Sequence, residues 1–470
     1  MIIGNKHCSS LVKNNKFSPS FFLNEGRATF DYLENAHKIV GHISDITNNV
    51  FRPGIFKRVF VASLEHGSPY ITAQAMMSQD PLASSKILSN KLTENIDFMR
   101  LPLHSILVSC AGTVGNVRLI DNTIAGVVGS QDIIRVIPKE NNFGFVYAYL
   151  STSLVYQYLQ SCIYGSVVPR IEPDVVANIP LVAVSEDIKN SSNELISDSI
   201  RLREESTEEL TKARKLLKFK ANLRDLQAED YDYYGPSAPN RKVSCFKINK
   251  KKINSTTINA FNLSERIRKT KSLISCPTKP LKDILSNGET FSTGAFPRVD
   301  VGKDHGVMLI NQKDIFDSII KGKYISKRGV KLDNLVEYGE VIIAGVGTLG
   351  ESETFCRALF ANEDLVGQLV SGEFIRMKTN NEVPSGYLFA WLSTDYGFRF
   401  LRNIQAGTKL CRPIPRLVRE IPVPILDKDI MSEIDSKVRD AYTKRHKANV
   451  YELKAISMVE NEIEKWNKAN

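Results

Sequence analysis

Residues 149–152 (YLST) and residues 391–394 (WLST) are two copies of one short stretch, 242 positions apart. Further landmarks share that separation: Gly165 with Gly407, Ser166 with Thr408, Arg170 with Arg412, Pro173 with Pro415, and Ile179-Pro180 with Ile421-Pro422. One separation that holds over many landmarks indicates an internal repeat. The sequence therefore predicts a duplicated module.

A glycine-rich segment precedes these landmarks in each copy. Residues 107–115 (LVSCAGTVG) resemble residues 341–350 (VIIAGVGTLG), but here the Gly-Thr pairs are 235 positions apart, so the second copy carries about seven extra residues. Glycine permits positive φ and close backbone approach, which favours a structural role over direct ligand contact. The residues interpreted as structural turns are Gly112, Thr113, Gly115, Gly347, Thr348 and Gly350.

The spacing of apolar residues predicts a mixed α/β (α+β) fold for each module. The runs predicted as strands are residues 105–109, 133–137, 340–343 and 373–377, and the runs predicted as helices are residues 144–160 and 385–400.

A long helical stretch without glycine or proline follows the first module at residues 186–229. One seven-residue register holds Ile188, Leu195, Leu202, Leu216 and Leu223, is interrupted by Glu209, and has Ser199, Ser206 and Ala213 at its companion positions. The stretch at residues 428–466 carries an apolar stripe of Ile430, Ile434, Val438, Ala441, Ala448, Ala455, Val459 and Ile463.

These two stretches predict an antiparallel two-helix coiled coil about 60 Å long that holds the modules apart. The alternative is that each is an amphipathic helix packed on its own module. At about 150 residues per domain, 470 residues suggest roughly three domains. The predicted boundaries are an N-terminal domain at 1–185, a central helix at 186–229, a linker at 230–252, a C-terminal domain at 253–426 and a final helix at 427–470.

The charge of the chain is compatible with a polyanionic partner. Lys and Arg number 62 against 52 Asp and Glu, a formal net charge of +10. The basic run at residues 241–252 is interpreted as a solvated linker, with a phosphate contact by Lys250, Lys251 and Lys252 as the alternative. No run of 18 apolar residues predicts a membrane span, residues 1–22 lack the apolar core of a secretory signal, and the seven cysteines are dispersed. We therefore expect a reduced, cytoplasmic protein.

Motifs that carry enzymatic chemistry are missing from the sequence. There is no phosphate-binding Gly-x-x-x-x-Gly-Lys-Ser/Thr loop, no His-x-x-x-His pair, no Gly-x-Ser-x-Gly elbow and no Asn-Pro-Pro-aromatic motif of amino-methyltransferases. We therefore expect a binding protein with no cofactor, no metal and no catalytic residue.

The duplicated order of motifs resembles the specificity subunit of type I restriction-modification systems. Residues 112–115 (GTVG) are similar to that family's Ser-Gly-Thr-Ile-Gly segment, and residues 147–152 (YAYLST) to its Tyr-hydrophobic-Leu-Ser helix. Residues 130–132 (SQD) are similar to its polar step before the next strand, and residues 165–169 (GSVVP) to its Gly-Ser-x-x-Pro loop.

This resemblance covers roughly residues 100–228 and 281–466. The second module departs from it with Val370-Ser371-Gly372-Glu373 in place of Gly129-Ser130-Gln131-Asp132, and with Cys411 in place of Pro169. Residues 1–100 match less well, because the family's Tyr-Pro-hydrophobic opening is missing.

The resemblance implies two target recognition domains, each reading half of a bipartite site in double-stranded DNA. It further implies methyltransferase subunits docked on the spacer helices and a translocating restriction subunit joined through the complex. The subunit itself would be non-catalytic.

Base reading is expected in the part of each module that precedes its Gly-Thr turn. Arg and Lys pair with guanine, and Asn and Gln pair with adenine. The candidate DNA-binding residues are Arg52, Lys57, Arg58, Gln74 and Lys91 in the first module, and Arg298, Asn311, Gln312, Lys313, Lys323, Lys327 and Arg328 in the second. A solvated basic surface is the alternative for each of them.

Two other functions stay open at this point. The chain could be a coiled-coil scaffold whose duplicated domains bind proteins and have no role on DNA. It could also be an enzyme in its own right, which the missing catalytic motifs disfavour.

Overall fold

The computed structural model describes residues 19–139, 141–227, 230, 247–250, 253 and 256–467. The chain divides into a first unit, residues 1–204 with 447–470, and a second unit, residues 205–446. Each unit contains one of the two modules. Most of the expected linker at residues 230–252, including Lys251 and Lys252, lies outside the described residues.

The first module alternates short strands and helices. Its helices are α1 (Pro19–Phe22), α2 (Glu25–Asn35), α3 (Phe143–Leu150), α4 (Ser153–Ser161) and α5 (Pro173–Ala177). Its strands are β1 (Ile39–His42), β2 (Thr47–Phe51), β3 (Phe60–Val61), β4 (Gly67–Ile71), β5 (Lys86–Ser89), β6 (Ile106–Ser109), β7 (Val117–Leu119), β8 (Val128–Gly129), β9 (Ile133–Pro138) and β10 (Pro180–Val182).

Two four-stranded sheets organise this module. One has the order β2-β9-β6-β7 and the other β3-β5-β4-β8, while β1 pairs with β10. Strand β6 is buried along its whole length and lies between β7 and β9. Ile106 and Val108 join the large apolar core of the first unit, and Leu107 joins a second cluster with Ile71 and Ile133.

The second module repeats this order. Its helices are α7 (Glu265–Ser272), α8 (Ser385–Leu392), α9 (Asp395–Asn403) and α10 (Pro415–Val418). Its strands are β11 (Thr278–Pro280), β12 (Gly306–Ile310), β13 (Lys323–Ser326), β14 (Val341–Ala344), β15 (Ala358–Phe360), β16 (Leu369–Val370), β17 (Phe374–Met377), β18 (Gln405–Ala406), β19 (Arg412–Pro413) and β20 (Pro422–Pro424).

The pairing of strands shows that the repeat is structural. The sheets β15-β14-β17 and β13-β12-β16 correspond to β7-β6-β9 and β5-β4-β8, and the pair β11-β20 corresponds to β1-β10. Both modules even share the parallel pair, β4 with β8 and β12 with β16. The prediction of a duplicated mixed α/β module is confirmed.

The aromatic helix expected in each module is broken into two. Thr152 adopts an extended conformation and its side chain accepts a hydrogen bond from Val155 N–H, which starts α4 as a new helix. Thr394 does the same for α9 through Gly397 N–H. A threonine N-cap at the Leu-Ser-Thr step ends helical periodicity there, although the apolar spacing continues.

The two long helices contribute to both units. Helix α6 (Glu186–Lys220) and helix α11 (Lys428–Asn467) have 35 and 40 residues, or about 52 and 60 Å at 1.5 Å per residue. Helix α6 ends at Lys220, whereas the sequence predicted a helical stretch that continues to residue 229. Asn222 has a φ of 52°, and Leu223 N–H donates to Lys218 C=O, a left-handed C-terminal stop.

The helices run antiparallel in each unit. In the first unit, Trp466 donates to Ala183 C=O at 3.1 Å while Arg203 donates to Asn449 at 2.7 Å. In the second unit, Lys444 lies 3.3 Å from Glu205, and Lys437 lies 3.8 Å from Glu209.

Small residues form the buried seam of these helices. On α6, Ser192, Ser199, Ser206 and Ala213 are buried at seven-residue spacing, and on α11 so are Ile434, Ala441, Ala448 and Ala455. Ile188, Leu195 and Leu216 of the expected seam are only half-buried. Small side chains therefore predominate in this register, and Leu202 and Leu223 of the expected seam are buried as well.

A buried polar cluster lies beside the helices in the first unit. Glu452 of α11 accepts from Tyr147 of α3 at 2.7 Å and forms an ion pair with Arg203 of α6. Because burial penalises an unpaired charge, this arrangement ties both helices to the module.

Among the described residues, no helix is long and apolar enough to span a membrane.

Each module is attached to the helix that follows it through one recurrent contact. Asn193 of α6 accepts from Gly144 N–H at 2.8 Å, and Asp435 of α11 accepts from Gly386 N–H at 2.7 Å. A Cβ on Gly144 would lie 2.7 Å from Asn193 Cα, so glycine is required for this approach. Asn193 and Asp435 are 242 positions apart, so the repeat continues into the helices.

Candidate nucleic-acid interface

Most of the candidate contact residues lie on one small sheet in each module. We call the sheet β3-β5-β4-β8 with residues 52–59 the first front lobe, and the sheet β13-β12-β16 with residues 292–299 the second front lobe. Each lobe has its own apolar cluster, around Tyr70 in the first and Leu309 in the second.

A fully buried arginine supports each front lobe. Arg135 of β9 donates to the carbonyls of Gly129 at 2.8 Å and Met99 at 3.1 Å. Arg376 of β17, in the equivalent register, donates to the carbonyls of Asn334 at 2.9 Å and Leu335 at 2.7 Å. Both side chains are inaccessible to solvent, so they are structural supports rather than contact residues.

The two buried arginines differ in how their charge is balanced. Glu340 forms an ion pair with Arg376, whereas Arg135 donates to four backbone carbonyls, those of Met99, Gly129, Ser130 and Ile133. Burial lowers the pKa of Arg135 to about 10, which still leaves it protonated at neutral pH. The first front lobe therefore lies over a buried positive charge.

The structure separates the candidate residues into two groups along each lobe. Val59 C=O accepts from Ser89 N–H and Val299 C=O accepts from Ser326 N–H, both at 2.9 Å or less. This pairing brings the loop that enters each lobe next to the segment that leaves β5 or β13. The residues gathered at this end are Lys57, Arg58 and Lys91 in the first lobe, and Arg298, Lys327 and Arg328 in the second, all of them exposed.

The remaining candidates lie at the opposite end of the lobes. Gln74 follows β4, and Asn311, Gln312 and Lys313 follow β12, while Lys323 begins β13 opposite Leu309. Gln74, Lys313 and Lys323 are exposed, and Asn311 and Gln312 are half-buried. Lys323 lies 3.7 Å from Asp300.

Two candidate side chains are engaged with the protein itself. Gln312 binds the backbone of Val346 through both ends of its amide, donating to the carbonyl and accepting from the N–H at 3.1 Å. Arg52 donates through Nε and Nη2 to Glu172. The hydrogen bond from Tyr164 lowers the pKa of Glu172 most, and the pair with Arg52 lowers it further. Partial burial acts in the opposite direction, but the pKa stays below its usual range.

The Gly-Thr turns are joined to the Gly-Ser or Gly-Thr loop of the same module. Gly112 N–H donates to Pro169 C=O at 3.0 Å, and Gly347 N–H donates to Cys411 C=O at 3.2 Å. Cys411 N–H also donates to Gly347 C=O at 2.7 Å. Proline has no N–H, so the first module lacks this second bond.

The glycines of these turns serve different purposes in the two modules. Gly112 and Gly115 have φ values of 76° and 89°, as expected for structural turns. Gly347 and Gly350 do not adopt positive φ. Instead, a Cβ at either position would lie 2.9 Å from Phe355 or Glu353, so the absence of a side chain is what matters. Thr113 and Thr348 are exposed.

The extra residues of the second module lie between Gly350 and β15 and are held by arginines. Arg402 donates to the backbone carbonyls of Leu349, Gly350 and Phe355. Arg399 donates to Glu351 at 2.7 Å, and Arg357 donates to Glu353 C=O at 2.9 Å. In the first module, Gln160 takes the place of Arg402 and donates to Val114 C=O at 2.8 Å.

Comparison with protein families identifies part of the chain. A family model described as the type I restriction modification DNA specificity domain matches residues 53–190. These residues form a type I DNA specificity domain. The resemblance to specificity subunits is confirmed by this match, and so is the expected function, DNA sequence specificity in such a system. A search of curated proteins found no match.

Solved structures of specificity subunits share low similarity with the chain. The type I restriction-modification S subunit from M. genitalium is 14% identical, with a TM-score of 0.33 over 90% of this chain and 94% of that one. The HsdS subunit from Thermoanaerobacter tengcongensis is 10% identical, with a TM-score of 0.26 over 91% of this chain and 96% of that one.

The matched specificity domain begins earlier than the resemblance seen in the sequence. It starts at residue 53 and so includes the first front lobe, where the motifs had suggested a start near residue 100. The first front lobe also takes part in the repeat: residues 51–59 (FRPGIFKRV) recur as residues 291–299 (FSTGAFPRV), 240 positions later instead of 242. A search for pairs at that separation would have found it.

Proposed function

We propose that this chain is the specificity subunit of a type I restriction-modification complex and that each module reads one half of a bipartite site in double-stranded DNA. The observation that carries the proposal is the duplicated front lobe. Both copies expose cations at the same end of the sheet, Arg58 with Lys91 and Arg298 with Arg328. Cationic side chains of this kind bind phosphates and guanine edges.

The partners follow from the same proposal. Methyltransferase subunits dock on helices α6 and α11, and the restriction subunit joins through them. In this role the chain selects the DNA site and holds the subunits of the complex together. It has no catalytic residue, cofactor or metal of its own, and it acts in the cytoplasm. The exposed charges along α6, such as Arg201 and Lys212, give a docking partner polar contacts on this helix.

The proposal is tested by measuring the affinity of the complex with methyltransferase subunits for a fluorescent duplex at increasing salt. Neutralisation of several phosphates makes log K fall linearly with log salt, with a slope of about −0.9 per phosphate. A slope of zero contradicts the DNA role. Sequencing of host DNA for modified bases, with and without the gene, then shows whether a bipartite motif depends on this chain.

A further inference from the structure

The loop that enters each front lobe has the same burial pattern in both modules. From residue 53 to 58 and from residue 293 to 298, the order is one buried residue, two exposed, one half-buried and two exposed. The half-buried residue is Phe56 or Phe296, which packs against the apolar cluster of its own lobe. The last exposed residue is Arg58 or Arg298.

Hydrogen bonds hold each loop at its base, and in the second lobe the buried arginine takes part in them. Arg376 donates to Thr293 at 3.3 Å and to Asn334 C=O, and the side chain of Asn334 accepts from Gly294 N–H at 2.9 Å. In the first lobe, Phe56 N–H donates to Gln131 at 3.4 Å. Both loops are therefore anchored at a phenylalanine and at their backbone, which limits the motion of the residues between.

We propose that these paired loops, residues 52–58 and 292–298, are the base-reading elements, with Arg58 and Arg298 each contacting a guanine at the corresponding position of their own half-site. This inference rests on the proposed function. A guanidinium on an anchored loop can make the bidentate bond to guanine O6 and N7 that a mobile side chain makes at greater entropic cost. Lys91 in the first lobe, and Lys327 and Arg328 in the second, lie at the same end of the lobe and bind the flanking phosphates.

The differences between the loops predict that the two half-sites are unlike. The first loop has Arg52, Ile55 and Lys57 where the second has Ser292, Ala295 and Pro297. Ile55 is 83% exposed, so it offers an apolar contact to a thymine methyl group that the smaller Ala295 cannot match. Shared arginines thus read a shared guanine, and the remaining positions discriminate.

The test determines the modified DNA motif for complexes that carry single substitutions. Arg58→Gln should change one base in one half-site from guanine towards adenine, because Gln pairs with adenine. Arg298→Gln should make the corresponding change in the other half-site only. Arg58→Ala and Arg298→Ala should relax the same positions. Arg416→Ala, an arginine exposed on α10 outside both front lobes and both long helices, is the matched control and should leave the motif unchanged.

Three results would overturn the inference or the proposed function separately. If both front-lobe variants keep the wild-type motif and lose only affinity, the arginines bind phosphate and the inference is wrong. If either variant alters both half-sites, the loops do not act within their own modules, and the inference is also wrong. If the wild-type chain directs no modification and binds no DNA, the proposed function itself fails.

Discussion

Arg376 and Glu340 form a fully buried ion pair in the second unit, with Nε and Nη2 of the arginine each 2.8 Å from a carboxylate oxygen. Arg135 occupies the equivalent position in the first unit, where Ser105 replaces the glutamate. The same cation is therefore stabilised by a carboxylate in one module and by carbonyl dipoles in the other.

Removal of Glu340 should strongly destabilise the second unit. Glu340→Ala leaves Arg376 buried without its counter-charge, which typically costs about 3–5 kcal/mol of unfolding free energy. The chain's two tryptophans, Trp391 and Trp466, lie in different units, so urea unfolding followed by Trp391 fluorescence in a Trp466→Phe background reports on the second unit. Glu337→Ala, which removes the more exposed partner of Lys378, is the control and should cost about 0–1 kcal/mol.

Glu452 should have a comparable role in the first unit. Glu452→Leu removes the partner of both Arg203 and Tyr147 and should cost about 3–5 kcal/mol, read from Trp466 fluorescence in a Trp391→Phe background. The double variant Arg203→Met with Glu452→Leu should recover much of this loss, since no buried charge is then left unpaired. A double variant less stable than Glu452→Leu would contradict the assignment.

The contact between Asn193 and α3 should contribute a smaller amount. Asn193→Ala removes the acceptor for Gly144 N–H, and the loss of such a cap costs about 0.5–2 kcal/mol. Asn193→Asp keeps the acceptor, as Asp435 does in the second module, and should retain most of the stability. Equal losses in both variants would show that the amide donor to Asn141 C=O matters more.

The Glu172 carboxylate, which accepts from Tyr164 and pairs with Arg52, should make the first unit sensitive to acid. The pKa of Glu172 is lower in the folded state than its unfolded value of about 4.3. The contribution of Glu172 to the free energy of unfolding is therefore fully present above the unfolded pKa. It is lost as the pH falls through the lower pKa of the folded state. The difference in unfolding free energy between wild type and Glu172→Gln should be constant near neutral pH and shrink below about pH 4.3. A difference that does not change with pH would exclude this role.

The repeat was visible in the sequence because its landmarks are glycines, prolines and the Leu-Ser-Thr step, which local backbone geometry requires. The front-lobe repeat was harder to see, since its five shared residues are spread through a loop and have their own separation of 240. The buried arginines were also missed. In a strand such as Ile133–Pro138, an arginine between apolar residues is typical of a solvent-facing position, and only the sheet packing shows that it is enclosed.

Site prediction from the sequence could not separate exposed side chains from those engaged within the protein. Gln312 and Arg52 have residue types suited to base reading, yet both bind groups that are distant in the sequence, Val346 and Glu172. Such pairings depend on tertiary contacts that residue type does not encode. Whether the exposed candidates contact DNA stays a prediction.

The first unit can finish folding only late in synthesis, because its core includes residues from the end of the sequence. Its apolar core includes Ala455, Val459 and Ile463, which belong to the last helix of the chain. During translation the first module therefore emerges first, but the residues that close its core are made only after the whole second unit. At roughly 5–20 residues per second, this leaves an open apolar face for on the order of tens of seconds. The nascent chain thus has an interval in which the first module is exposed to chaperones and to aggregation, and truncation within α11 should harm the module farther away in sequence.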